Sequence, residues 1–471
     1  MKQIKTDLLV IGAGSGGLSV AAGAVQMGAD VTLLEGHKMG GDCLNYGCVP
    51  SKALLAAGHA AHAMTSGAAM GITPVTPEID FSAAKDHVMG VIDHIAPVDS
   101  QERFEGLGVQ VIRAFGRFTG PKTVAAGDTE ITARRIVIAT GSSPFVPAIP
   151  GLDQVPYYTN ETVFELRERP DHLIIVGGGP IGMEMAQAHR RLGCKVTVLE
   201  GQSALGKEDP ELAAIVLENL RGEGVEIVEH ALVSAVSRHS GEIVVTTSKG
   251  DVSGSHLLMA VGRHPNIDKL DLEKAGVKAG RAGIEVDDQM RSSNRKVFAI
   301  GDVAGGLQFT HVAGYHAGLI IKQALFGLPA KNSTKHIPWA TYTDPEIAQV
   351  GLTEAQAQAQ YGDKLEVVRT EFAHNDRAIA SRQNKGLVKV MIVKGRPVGA
   401  SIVGPQAGEL IATWSLVIAN KIKMAGVSAM IAPYPTLAEV NKRAAGAYFS
   451  PRLFDSLRVK QVVRLVQKLL P

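Results

Sequence analysis

Hydrophobic and polar positions fall into the same arrangement twice along the chain. Beyond a polar Met-Lys-Gln-Ile-Lys start, residues 7–11 turn apolar and read as a strand. Gly12-Ala-Gly14-Ser-Gly16-Gly17 reads as a glycine turn, residues 18–27 as a small-residue helix, and residues 31–35 as a strand ending on Glu35. Residues 171–201 repeat the plan. There the strand is 173–176, the turn is Gly177-Gly-Gly179-Pro-Ile-Gly182, the helix runs to about Leu192, and a second strand over 195–200 ends on Glu200. Both copies set Gly-x-Gly-x-x-Gly between strand and helix, with a glutamate at the same offset. In each, the first glycine makes the tight turn (Gly12, Gly177) and the second lets backbone approach a pyrophosphate (Gly14, Gly179). The third packs helix on strand (Gly17, Gly182), so the anion sits at a positive helix N-terminus. Glu35 and Glu200 would each accept from ribose hydroxyls. Two copies in full βαβ context outweigh reading them as ordinary ligand-free βα turns.

The 471 residues hold roughly three domains at about 100–200 residues each. Hydrophobic residues make up 45% and charged ones 20%, with 52 glycines, a balance that buries large cores and is unlike that of disordered chains. A formal charge of +2 gives no field to gather nucleic acid, so no nucleic-acid partner is expected. Three cysteines, Cys43, Cys48 and Cys194, cannot build a secreted disulfide framework, which points to a cytoplasmic protein. The apolar start reads as a strand entering a glycine turn rather than a secretory signal, and no apolar run approaches the roughly 18 residues of a membrane span.

Between the two glycine units stands Gly40-Gly-Asp-Cys43-Leu-Asn-Tyr-Gly-Cys48-Val-Pro-Ser-Lys52. A bridge between these cysteines would close a loop too small to stabilise much, which makes it a poor staple and a plausible redox couple. Two dinucleotide units beside such a pair invite a flavin in one and a nicotinamide in the other, since hydride chemistry needs a donor and an acceptor face to face.

With this motif the chain resembles the flavoprotein pyridine nucleotide-disulfide oxidoreductases, the family of glutathione reductase, lipoamide dehydrogenase and mercuric reductase. The resemblance runs over nearly the whole chain. It includes Ala139-Thr140-Gly141, Ala260-Val-Gly262-Arg263-x-Pro265-Asn266, Ala299-Ile-Gly301-Asp302, Asp344-Pro-Glu346 and Tyr434-Pro-Thr436-Leu-x-Glu439. It implies an α/β fold with two Rossmann-like dinucleotide-binding domains and a C-terminal α/β dimerisation domain with an antiparallel sheet. The cofactors implied are FAD in the first unit and NADH, or NADPH, in the second. Asp302 would bond the flavin's ribitol chain, and a helix starting near Thr310, with His311 and Ala313, would aim its N-terminus at the flavin ring. Gly116 would touch the adenosine half. Thr140, Gly141, Gly262 and Arg263 join the cofactor-binding set, and Lys52 and Glu184 match the ion pair beside the flavin where the nicotinamide docks. Cys48 would be the flavin-side thiolate and Cys43 the sulfur that exchanges with substrate, while Cys194 is expected to be a buried small hydrophobe. Glu200 repels a 2′-phosphate and has no arginine close behind it, so NADH is expected over NADPH.

The family's better-known members carry histidine where this chain has Tyr434. A phenol with pKa near 10 cannot act as a base at neutral pH as an imidazole near 6.5 does. This speaks against efficient turnover of dihydrolipoamide or glutathione disulfide, and Tyr434 with the Gly-Gly-Asp-Cys lead looks more like mercuric reductase and related metal or oxidant-stress reductases. Mercuric reductase, however, passes Hg(II) through C-terminal cysteines, and no cysteine follows Cys194. Glu439 is expected to orient Tyr434. No resident metal site is expected.

The motifs divide the chain into a first FAD segment over 1–150, an NAD domain over 151–270, a return to the FAD domain over 271–335, and an interface domain over 336–471 that works as a homodimer. The reading reached is electron transfer from NAD(P)H through FAD and Cys43/Cys48 to a disulfide, thiol-bound or metal-ion substrate, whether a small molecule or protein-bound. Two others stay open: an NADH oxidase, quinone or metal-ion reductase with secondary thiols, and a low-turnover FAD- and NAD-binding sensor. From Arg452 the tail reads as one basic amphipathic helix, either packed on the dimer or making peripheral membrane contact.

Overall fold

The first apolar run builds a longer strand than its pattern predicts. In the computed structural model, which describes residues 1–470, the strand spans Lys2–Ile11. Its polar first half is held by parallel pairing, from Lys2↔Thr129 to Thr6↔Ala133, so backbone hydrogen bonds extend it beyond the residues that burial selects. Both glycine-turn helices begin directly after their second glycine, at Ser15–Gln26 and Pro180–Arg191. Residues 15–17 therefore belong to the helix rather than to the turn, and Pro180 takes the first helical position, where its missing N–H costs nothing.

The chain divides into two compact units. The first contains residues 1–65, 75–201 and 230–333. One of its sheets runs Gln110–Ile112, Val31–Leu34, Lys2–Ile11, Thr129–Ile138, Thr123–Ala126, Gly116–Gly120, parallel through the first four and antiparallel thereafter. Val297–Ala299 returns to pair in parallel with Thr129–Ile138, Val297 opposite Ile136, and so delivers residues 301–304 to the end of this sheet. A second parallel sheet joins Lys195–Leu199, His172–Val176 and His256–Met259. Leu8, Val10, Leu33 and Val137 lie at most 1% exposed, as the near-continuous apolar runs of strands covered on both faces require.

The second unit contains residues 66–74, 202–229 and 334–471. Its five-stranded antiparallel sheet runs Pro338–Thr341, Glu346–Gly351, Arg396–Gly404, Leu387–Val393, Leu365–Glu371. Helix Ala407–Ala419 lays Leu410, Ile411 and Trp414 into the core. The Trp414 indole is fully buried and donates to Asn441 Oδ1 at 2.8 Å, which satisfies the one polar atom that ring brings inside.

The tail forms two helices, Glu439–Phe454 and Leu457–Leu469, in place of the single one expected from Arg452. Ser456 makes the break: its side chain accepts from the Val459 N–H and caps a new helix.

Candidate functional site

The two glycine turns have nearly the same stereochemistry. Gly12 and Gly177 stand at φ +105° and +114°, and a Cβ would lie 2.4 Å from Ala139 O and 2.3 Å from Ala260 O respectively. At Gly17 and Gly182 a Cβ would lie 1.9 and 2.0 Å from the carbonyl oxygen of the first glycine, so only glycine lets helix meet strand there. The middle glycines differ: Gly14 has nothing nearer than 3.9 Å and Gly179 nothing within 4 Å, so the room in front of the turn backbone is kept by the missing side chain alone. Glu35 accepts from Ala13 N–H at 2.8 Å and His37 N–H at 2.6 Å, and Glu200 from Gly178 N–H at 2.7 Å. Each carboxylate is thereby docked on its own turn. Open backbone, a helix N-terminus and a fixed acid suit the pyrophosphate and ribose of a dinucleotide at both turns.

Gly40 and Gly41 stand at φ +84° and +61°, conformations that bring the cysteine segment onto the first turn. A Cβ on Gly41 would meet Gly14 Cα at 2.7 Å. Cys43 lies in the short helix Gly41–Asn45 and Cys48 opens the helix Cys48–Thr65. Both are free thiols that share a hydrogen bond, and Thr310 Oγ1 lies 3.4 Å from Cys48 Sγ. The pair is strongly polarised. The hydrogen bond from Cys43 pulls the Cys48 thiol down to about 6, aided by the Thr310 hydroxyl and the Lys52 charge against partial desolvation, while the same bond and burial push Cys43 far up. At neutral pH the structure therefore favours a thiolate on Cys48 and a proton on Cys43.

Lys52, one turn further along the cysteine helix, donates to Glu184 Oε2 at 2.8 Å. Glu184 comes from helix Pro180–Arg191, which packs against the cysteine helix, and its side chain is 7% exposed. The second glycine turn is thus tied to the sulfur pair through one buried carboxylate.

Asp302 lies in the short helical turn Gly301–Ala304, directly after the strand Val297–Ala299. It accepts from Ser142 Oγ at 2.6 Å, and burial raises its carboxyl above the usual range, with Ser142 and Arg263 pulling it back. Arg263 donates to Ser142 Oγ and Ser142 O at 2.7 Å each, and its guanidinium lies 3.1 Å from Asp42 and 3.9 Å from Asp302. Asp42 also accepts from Asn160 Nδ2 at 3.1 Å. Thr140 and Asn266 exchange two bonds, Thr140 Oγ1 to Asn266 O at 2.8 Å and Asn266 Nδ2 to Thr140 O at 3.0 Å, which lock the turns at Gly141 and Gly262, both of positive φ. Gly116 opens the strand Gly116–Gly120, where a Cβ would meet Leu34 Cδ1 at 2.7 Å.

Helix Thr310–Ala324 starts where the motif places it. His311 stacks on Phe309 at 5.4 Å between ring centroids. Ala313 Cβ lies where a Cβ on Gly16 would come within 3.2 Å, so small residues bring this helix onto the first glycine helix. Sequence reasoning missed Ser142 and Asn160, and took Thr310 for a helix start without its bond to Cys48. Ser142 had the signal of following Ala139-Thr140-Gly141, whereas Asn160 had none. Cys194 is buried, and burial pushes its thiol up to about 12, which leaves it inert.

In the second unit Tyr434 is 72% exposed and its hydroxyl donates to Asp376 Oδ2 at 3.1 Å, which raises its pKa further from the neutral range. The charge of Glu439 adds to that of Asp376 in raising the phenol's pKa. The Glu439 carboxylate accepts from the Thr436 N–H at 3.3 Å at the start of helix Glu439–Phe454, while Asp376 takes the hydrogen bond from the phenol.

Paired dinucleotide turns converging on a polarised thiol pair define a nucleotide-dependent thiol–disulfide oxidoreductase. The chain belongs to the pyridine nucleotide-disulphide oxidoreductase family: residues 6–317 match that family and residues 337–445 match its dimerisation domain. It is similar to mercuric reductase from Lysinibacillus sphaericus, 34% identical over 93% of this chain and 82% of the relative. Dihydrolipoyl dehydrogenase from Geobacillus stearothermophilus is 35% identical over 94% of this chain and 96% of the relative. Among solved structures, the HOCl-induced flavoprotein disulfide reductase RclA from Escherichia coli superposes with a TM-score of 0.83 at 29% identity, covering 93% of this chain and 99% of that one. That protein has also been solved as a Cu(II) complex. The protein is therefore a flavoprotein disulfide oxidoreductase, of a family whose members bind FAD and NAD(P)H, and its match to the dimerisation domain supports a homodimer.

Proposed function

We propose that this enzyme oxidises NADH and uses the Cys43/Cys48 pair to reduce a soft metal ion or an oxidised thiol. The observation that carries the reading is the placement of the sulfur pair: Cys48 opens the helix that carries Lys52, with Thr310 Oγ1 3.4 Å from its sulfur and Cys43 hydrogen-bonded to it. The division of the chain into FAD segments over 1–150 and 271–335 and a nicotinamide domain over 151–270 belongs to the same proposal, supported by the two glycine turns. FAD, when bound, supplies a two-electron relay between the nicotinamide and the sulfur pair. Gly12, Gly14, Gly17 and Glu35 would hold its adenosine and pyrophosphate, with Gly116 beside the adenosine half. Asp302, His311, Ala313 and the helix N-terminus at Thr310 would hold its far end. Gly177, Gly179, Gly182 and Glu200 would hold the nicotinamide dinucleotide, with Glu200 favouring a free 2′-hydroxyl. Lys52, anchored on Glu184, keeps a cation near Cys48 and favours its thiolate.

In each cycle NADH gives up a hydride, whose two electrons cleave the Cys43–Cys48 bond and whose proton remains on Cys43, leaving Cys48 a thiolate. The two electrons leave when substrate reoxidises the dithiol. Cys48 stays a thiolate, whereas Cys43, the exchanging sulfur by family resemblance, has to give up its proton before it attacks or binds a substrate, because the thiolate is the nucleophile and the metal ligand. Tyr434, with its hydroxyl given to Asp376, has no basic group to take that proton at neutral pH. This favours acceptors that bind sulfur directly, such as soft metal ions, over dithiols awaiting deprotonation. The relatives named mercuric reductase and the Cu(II) complex of RclA support the same class.

The test is NADH consumption by the FAD-loaded enzyme with Hg(II), Cu(II), a disulfide panel or dioxygen alone, with Cys43→Ser and Cys48→Ser alongside. Metal- or disulfide-dependent turnover should vanish in both variants, and kcat/KM should be higher with NADH than with NADPH. Full turnover in Cys43→Ser would refute the thiol route.

A further inference from the structure

The C-terminal helix Leu457–Leu469 lies beyond the residues 337–445 that match the dimerisation domain, so the family resemblance assigns it nothing. None of its residues is buried, and all but Val459 are exposed. At 100° per residue, Val459, Val462, Val463, Val466 and Leu469 gather on one side, while Lys460, Arg464 and Lys468, spaced by four, line the opposite side with Leu457, and Leu465 lies at the border. Arg458 stands at the border too. The helix holds these cations and no carboxylate, while the whole chain carries only +2, so the rest of the molecule is net negative and the positive charge is concentrated here.

We propose that this helix docks the enzyme on an anionic membrane surface, lying in the interface with its valine and leucine side down and its cations among the headgroups. This does not depend on the substrate assigned above. The charge pattern selects the occupant. A second copy laid on the apolar side would leave the helix's cations in solvent, whereas an anionic membrane takes up both: the valine and leucine side enters the interface, and the long stems of Arg458, Lys460, Arg464 and Lys468 carry their charges to the headgroups. The chain does not span: among the described residues no helix is long and apolar enough to cross a membrane, and this one has 13 residues. Exposed Leu453 and Phe454, at the end of the preceding helix, extend the apolar surface. Valine-rich stripes bury less area than leucine or aromatic ones, so attachment is expected to be reversible and to need both charge and apolar contact.

The full-length FAD-loaded protein should sediment with vesicles containing about 30% phosphatidylglycerol at low salt and not with pure phosphatidylcholine vesicles. Binding should fall at least about tenfold in Val462→Glu/Val466→Glu, in the 457–471 deletion and at about 0.5 M salt. Because the helix is exposed, these variants should keep wild-type FAD content and dimer mass by sedimentation velocity. Failure of the full-length protein to bind anionic vesicles at low salt, or equal binding by the double variant, overturns the proposal. A deletion that converts dimer to monomer overturns it too, reassigning the apolar face to the second copy.

Discussion

Cys43 and Cys48 are the same residue type five positions apart, and the structure gives them opposite acid strengths. Their spacing marks a redox pair, but the low pKa of Cys48 depends first on its hydrogen bond with Cys43, and then on Thr310, 262 positions away, and on the Lys52 charge. The asymmetry should be visible in alkylation. Rapid iodoacetamide labelling of the reduced enzyme should fall on Cys48, with a midpoint near the value of about 6 to which its environment lowers it. Thr310→Val removes one bond to the charged sulfur and should move that midpoint up by about one unit, since one pKa unit is about 1.4 kcal/mol and such a bond contributes about as much. An unchanged midpoint would show that Cys43 and Lys52 suffice. Tyr434 gives the converse lesson. Its departure from histidine could be read directly, but its hydrogen-bond acceptor is Asp376, which opens the short helix Asp376–Ala380 58 positions earlier and which no motif marks.

At the scale of elements, the glycines of the turns serve two purposes that the sequence pattern does not separate. Gly17 is required by the protein itself, since its Cβ would overlap Gly12 O, whereas Gly14 has open space before it. Gly17→Ala should therefore lower the melting temperature and solubility of the protein. Gly14→Ala should fold with a near-native melting temperature in the apo state yet lose FAD on gel filtration, because the added methyl stands where the pyrophosphate would pass. Equal destabilisation of both apo proteins would contradict the distinction. Both βαβ units could be read from period and spacing, and their boundaries differ by a few residues where pairing or capping wins over hydrophobicity. The same competition splits the tail at Ser456, since a capped start satisfies backbone donors that a continuous apolar stripe does not register.

At the scale of the molecule, the second unit buries ionisable groups whose motif context gave no sign of it. Lys389, 2% exposed, lies 2.9 Å from Asp209, 2.5 Å from Glu211 and 2.8 Å from Glu354. Nearby in sequence, Glu208 is buried against Trp339, whose indole N–H lies 3.1 Å from both carboxylate oxygens, and burial pushes its carboxyl up to about 7. The folded value lies above the usual 4.5, so Glu208 takes up a proton on folding. Its contribution is fully present below pH 4.5 and is lost as pH rises through about 7. Glu208→Gln keeps an acceptor for the indole without the charge. It should be more stable than wild type at about pH 8, by up to about 3 kcal/mol, and equal to it at about pH 4. Denaturant melts of the two proteins across that range measure this, and parallel pH profiles would place the ionisation elsewhere.

The sequence by itself determined the parts whose physics is local. Glycines at turn positions, apolar runs of strand length and a cysteine pair in a glycine-rich frame each depend on neighbours within a few residues, and they identified the α/β class and the family. Tertiary structure alone decided which groups meet: Thr310 at Cys48, Glu184 at Lys52, Asp42 and Asp302 on either side of Arg263, and Asp376 at Tyr434. These pairings set charge and proton position, because Coulombic and hydrogen-bond terms depend on ångström distances through the fold, and no periodicity along the chain encodes them.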